Sequence, residues 1–120
     1  MADGLYVGLL SGTSVDAIDA ALLRFEGSSV RLVDSLATPI PPSVKAELLR
    51  LTECDLVSPD EIGLIDRRFG ACLAEGVLRL LQRSNTRSDS VRAIGSHGQT
   101  IRHRPARPGS HAPGFTWQIG

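Results

Sequence analysis

The stretch Gly4–Ala20, GLYVGLLSGTSVDAIDA, constrains this chain more than any other. Leu5, Tyr6, Val7, Gly8, Leu9 and Leu10 form an apolar run of the length of a buried strand. Ser11, Gly12, Thr13 and Ser14 then supply four small residues, followed by Asp16 and Asp19, before the apolar pattern resumes at Ala20, Leu22, Leu23 and Phe25. A strand, a small polar turn with carboxylates and a second strand can grip a phosphorylated ligand. Small residues let the backbone approach closely, and N–H groups in a tight turn make an anion-binding concavity. A carboxylate beside the turn can hold the magnesium of a nucleotide phosphate through water. The same residues also suit an ordinary hairpin turn. No Gly-Lys-Ser/Thr follows, so this is not a Walker loop, and no G-x-G-x-x-G opens a helix.

The rest of the sequence falls into place around this stretch. Ala17–Phe25 reads as a second strand. Val30, Leu32, Val33, Leu36 and Ile40 mark a third, with Arg31 and Asp34 on its wetter face. Short loops predict a three-strand antiparallel meander, ended by Pro39, Pro41 and Pro42. Ser43 is the expected cap of a short helix whose Val44, Leu48 and Leu51 share a face. Ser58-Pro59-Asp60-Glu61 reads as a cap, a first-position proline and a capping-box glutamate. From there Ile62, Ile65, Phe69, Cys72, Leu73, Val77 and Leu80 recur at three- and four-residue steps to about Arg83. Gly70 and Gly76 lie inside this helix and suggest close packing. Val91, Ala93 and Ile94 begin a fourth strand that ends in the polar turn Gly95–Thr100. Pro105, Pro108, Gly109 and Pro113 mark a loop, and Phe115, Trp117 and Ile119 alternate as a fifth strand. Periodicity alone predicts a mixed α/β class.

Apolar residues make up 42% of the 120, and the 13 basic side chains balance the 13 acidic ones. That composition fits a soluble globular protein, and no apolar run nears the roughly 20 residues that span a bilayer. The start MADGLYVGLLSG lacks the basic opening of a secretory signal. Cys54 and Cys72 do not make a disulfide framework, and Cys72 sits among apolar residues as a free thiol would. The expected location is the cytoplasm. Aromatic residues are too few for a nucleic-acid platform. From Val91 onward the sequence has Arg92, Arg102, Arg104, Arg107 and all three histidines, with no Asp or Glu. Such a segment suits an anionic ligand, or is a solvated basic loop.

Ser96, His97, Gly98, Gln99 and Thr100 lie just past a strand end, where open α/β sheets bind ligands. Their hydroxyl, imidazole and amide groups match sugar hydroxyls, though a polar strand-end turn has the same composition. Spacing does not link Ser11 or Ser14 to His97 as a nucleophile and its base. Nor do His97, His103 and His111 have metal-ligand spacing.

Three blocks in order, SGTSVDAIDA at 11–20, IGSHGQTIRHRP at 94–105 and GFTWQIG at 114–120, resemble the anhydro-N-acetylmuramic acid kinase family. These are sugar kinases of the actin and hexokinase superfamily. The resemblance implies an α/β, ribonuclease-H-like (actin-like ATPase) N-terminal lobe. That lobe is a three-strand antiparallel meander extended by parallel strands, with flanking helices. Residues 1–120 would be the incomplete N-terminal lobe of a two-lobed kinase. It implies hydrolysis of the 1,6-anhydro bridge of anhydro-N-acetylmuramic acid and ATP-dependent phosphorylation of O6, in cell-wall recycling. It places ATP at Gly12, Thr13, Ser14, Val15, Asp16, Ala17, Ile18 and Asp19, with Mg2+ on Asp16 and Asp19 through water. It places the amino sugar at Ser96, His97, Gly98, Gln99, Thr100 and Arg102, with Arg102, His103 or Arg104 meeting the lactyl carboxylate. The general-base aspartate of the family falls beyond Gly120, so the segment alone is expected to be inactive. A homodimer is expected of the full-length protein. The alternative is a non-catalytic binding or interaction module built on the same lobe. Where the family usually has Gly after the turn aspartate, this sequence has Ala17. A positive φ there would strain the turn.

Overall fold

A computed structural model describes residues 2–120. Strands β1 (Gly4–Ser11), β2 (Ala17–Glu26) and β3 (Ser29–Pro39) come first, then helices α1 (Pro42–Glu53) and α2 (Pro59–Arg83). A 3-10 turn at Ser88–Ser90 leads into β4 (Val91–Ser96), followed by β5 (Gln99–Arg104) and β6 (Phe115–Ile119). The main sheet has the order β3-β2-β1-β4. The first three strands form the expected antiparallel meander, and β4 pairs parallel to β1 with Tyr6 opposite Ala93 and Leu9 opposite Ser96. This is the mixed α/β arrangement of an actin-like ATPase N-terminal lobe.

Alternation decides which face is buried. Leu5, Val7 and Leu9 of β1 and Ile18, Ala20 and Leu22 of β2 point to one side and are buried. Helix α2 lies across that side with Ile65, Phe69, Leu73, Val77 and Leu80 turned inward. Fully burying side chains of this size contributes about 1.5–3 kcal/mol each. At Gly76 α2 passes close to the sheet: a Cβ there would stand 3.4 Å from Ile18 Cγ2. Gly70 has open space in the same position, so the close packing expected of both glycines holds only for Gly76. Ser58 caps α2 as expected, accepting from the Glu61 N–H at 3.1 Å. The Glu61 carboxylate reaches across to Arg50 of α1 at 2.5 Å.

Several expectations need correction. Helix α1 is not capped by Ser43. It begins at Pro42 after Pro41, without a capping side chain, because proline at the first helical position has no N–H to satisfy. On β3, Val30, Leu32 and Val33 are exposed rather than inward. This strand is the sheet edge, and a register shift opposite Leu22 and Leu23 disturbs its alternation. Residues 99–104, read as the end of a turn and the start of a loop, form strand β5. The terminal strand β6 does not extend the main sheet in parallel. It pairs antiparallel with β5 in a separate two-stranded sheet, and Ile119 is buried while Phe115 and Trp117 remain half-exposed. Positive φ falls on Val15 (φ 55), not on Ala17, which already pairs with Pro39 as the first residue of β2.

The packing makes a paired prediction. Phe69→Ala should lower unfolding free energy by roughly 3–5 kcal/mol in urea titrations. The neighbouring Gly70→Ala should instead raise it by about 0.5–1 kcal/mol, because helix propensity improves with no clash.

Candidate functional site

The first turn is compact. The Val15 N–H donates to the Gly12 carbonyl at 3.1 Å, and the Ile40 N–H donates to the Asp16 carbonyl at 3.0 Å. Val15 adopts a left-handed backbone, which costs a β-branched residue about 1–2 kcal/mol. Its side chain is fully buried, which offsets that cost. Gly12, Thr13, Ser14 and Asp16 are left facing solvent. Ile18 is buried in the core, and Asp19 projects from the other face of the sheet. There it joins Gly8, Leu10, Ala21, Ser35 and Ala37 around a shallow depression. Asp16 and Asp19 therefore serve different surroundings.

Asp16 forms an ion pair with Lys45 in the first turn of α1. The hydrogen bond and charge of Lys45, with the nearby Ser14 hydroxyl, hold its carboxyl below the ordinary aspartate range. The stability from this depressed carboxyl is present above the ordinary aspartate value and is lost as pH falls through the folded value. The sequence reading does not single out Lys45. The signal it offers is a lysine in the first turn of a helix, against the preference of the helix dipole for acids there.

The second motif lies beside the first. Beyond β4 the His97 N–H donates to the Leu9 carbonyl at 3.0 Å, prolonging the parallel ladder by one rung. Gln99 is 2% exposed, and its Oε1 accepts from Ser11 Oγ at 2.6 Å. This buried bond joins residues 88 apart and ties the end of β1 to the start of β5. Ser11 is thereby engaged with Gln99, not with His97, whose Nδ1 lies 3.4 Å from the Gly98 carbonyl. Gly98 has φ 69, and the Ile119 carbonyl fills the space a Cβ would need. The close approach that Gly98 permits here is that of the β6 backbone. The Thr100 hydroxyl faces Gln118 Nε2 at 3.4 Å.

Ser96 and His97 open onto a cleft of about 870 Å³ with Asp66, Trp117, Gln118 and Gly120. Asp66 and the β6 residues are additions that the sequence reading missed. Asp66 lies on the solvent side of α2, and its Oδ1 accepts from the Gly120 N–H at 2.6 Å. Arg102 turns elsewhere: its guanidinium donates to the carbonyls of Leu51 and Cys54 at the C-terminal end of α1, a favourable place for a cation. His103 Nδ1 meets Thr116 Oγ1 at 2.9 Å across the β5–β6 pair. The basic residues of 91–120 are thus dispersed, with Arg92 laid over Gly4 at the far end of β1. Both cysteines are free and half-buried, and burial pushes the Cys72 thiol up. No helix among the described residues is long and apolar enough to cross a membrane.

The Ser11–Gln99 bond is testable. Ser11→Ala leaves a buried amide oxygen without its donor and should destabilise the fold by about 1–3 kcal/mol. Proton exchange at the His97 amide should quicken in the same variant, if the bond holds the end of the ladder.

Comparison with known proteins covers the span that holds both motifs. The family model described as anhydro-N-acetylmuramic acid kinase matches residues 4–120. The anhydro-N-acetylmuramic acid kinase of Pseudomonas putida is 44% identical over 119 residues, covering 97% of this chain and 30% of that protein. Its counterpart in Xanthomonas campestris pv. campestris is 42% identical over 120 residues, covering 97% and 31%. That of Shewanella loihica is 39% identical over 120 residues, covering 100% and 31%. The chain spans about 30% of the length of the curated relatives it matches. With both polar motifs inside the matched span, the chain belongs to the anhydro-N-acetylmuramic acid kinase family.

Proposed function

We propose that this chain is the phosphate-turn lobe of an ATP-dependent kinase acting on anhydro-N-acetylmuramic acid. The full-length enzyme opens the 1,6-anhydro bridge with water and phosphorylates O6, giving N-acetylmuramic acid 6-phosphate. The observation that carries this reading is the buried Ser11–Gln99 hydrogen bond. It sets the small-residue turn and the polar strand-end motif side by side at the C-terminal ends of the parallel strands β1 and β4. That is where open α/β sheets bind ligands.

In this reading the turn Gly12–Asp19 receives the ATP phosphates, its exposed small residues giving the ligand access to backbone N–H groups. Mg2+ binds by one or two carboxylates and several waters, so the exposed Asp16 suits it, while Asp19 faces the other side of the sheet. Among the described residues no group of three or more His, Cys, Asp or Glu side chains forms a cage for it. When bound, the ion spreads charge on the transferring phosphoryl group. Ser96, His97 and Thr100 orient the sugar, while Gly98 and Gln99 hold the motif's shape. Arg102 keeps β5 fixed to α1. The lactyl carboxylate then falls to Arg104, whose guanidinium makes only one hydrogen bond among the described residues, a long one of 3.4 Å to the His103 carbonyl. The general base comes from an aspartate outside these residues, and the working enzyme is a cytoplasmic homodimer.

The decisive assay uses the full-length enzyme and follows ADP release with anhydro-sugar. Asp16→Asn should cut magnesium-dependent turnover by roughly 10²-fold or more. Turnover near wild type would remove the phosphate turn from the site. The 120-residue segment alone should form no phosphorylated sugar.

A further inference from the structure

We propose that Lys45 is a displaceable counter-cation for Asp16. Its ammonium holds the carboxylate while no divalent cation is bound, and it is released toward the ligand phosphates when the cation takes its place. The inference rests on the phosphate-turn reading above and adds a positioning residue to it.

Helix α1 does not explain this lysine. Lys45 stands in the first turn, where the helix dipole is positive and a cation is disfavoured. The first turn holds no acidic residue, and the N-terminus has no capping side chain to offset that placement. The partner of Lys45 is instead 29 residues earlier, in the small-residue turn. The pair is built for exchange. The Asp16 side chain is 65% exposed and that of Lys45 36% exposed, so water and ions reach both. A lysine is a compact charge on a flexible four-carbon stem and can swing without moving the helix. Asp16 itself does not float free, because its backbone carbonyl is tied to the Ile40 N–H at 3.0 Å. Removing Lys45 therefore frees the carboxylate without displacing it. A divalent cation arriving at Asp16 must compete with the ammonium. The displaced charge is then left beside a turn shaped for anions.

The test uses the full-length enzyme with Mn2+ alone as probe, read as free Mn2+ by paramagnetic resonance without nucleotide. An exposed pair of this kind contributes little, so Lys45→Met should tighten Mn2+ binding by about two- to five-fold. At saturating Mn2+ the same variant should bind a non-hydrolysable ATP analogue about tenfold more weakly. Lys45→Arg, which keeps the charge, should stay near wild type in both. A lysine that merely braces α1 would leave Mn2+ affinity unmoved. Unchanged affinity for either Mn2+ or the analogue in Lys45→Met, with Mn2+ binding lost in Asp16→Asn, overturns this inference alone. Wild-type Mn2+ affinity in Asp16→Asn overturns the phosphate-turn reading and this inference with it.

Discussion

The parallel pairing of β1 with β4 is the contact on which the rest of this structure depends. A meander of β1, β2 and β3 forms from local turns, but it brings only one polar motif to the end of the sheet. The second motif arrives because residues 91–96 return alongside β1 after two helices have crossed the sheet face. Such a crossover is a long-range closure whose loop entropy must be overcome by burial. Helix α2 supplies it, with an apolar stripe running from Ile65 to Leu81 against β2 and β3. The helix is thus the physical reason that Ser11 and Gln99 meet.

Helix α1 has a different part. It packs against α2 and β5 rather than over the centre of the main sheet. Its two ends are held by charged side chains from separate motifs: Asp16 at the first turn and Arg102 at the last carbonyls. At about 1.5 Å per residue the stretch of α1 between Lys45 and the Leu51 and Cys54 carbonyls is a strut of roughly 9–14 Å. The two motifs are therefore connected twice, once directly through the Ser11–Gln99 bond and once along α1.

The meander, both helices and β4 are legible in the residues, while the parallel extension of the sheet follows from the family resemblance. Each has either a strong apolar period or a proline and cap to bound it. Strand β5 is not, because Ile101 is the only apolar residue between Gln99 and Arg104 and pairing with a distant β6 cannot be seen locally. The inward face of β3 is misjudged for a related reason. Apolar residues on an edge strand read as core whether or not a helix covers them. At the site, the small residues and carboxylates are visible in order, but their partners are not. Lys45, Asp66 and the commitment of Arg102 to a helix end all depend on approaches across tens of residues. The positive φ expected near Asp16 is displaced to Val15, since only a folded core reveals which residue can be buried at the bend.

The contact between Gly98 and Ile119 bears on how the second sheet avoids misassembly. A long loop, residues 105–114, joins β5 to β6, and a loop of that length leaves strand register open. Sliding β6 by one residue would turn the buried Ile119 out to water and put Gln118 in its place. It would also move the Ile119 carbonyl off Gly98, which has no side chain to obstruct it. Register in this hairpin is set by missing methyl groups at both ends, Gly98 at the end away from the loop and Gly114 where the loop rejoins β6.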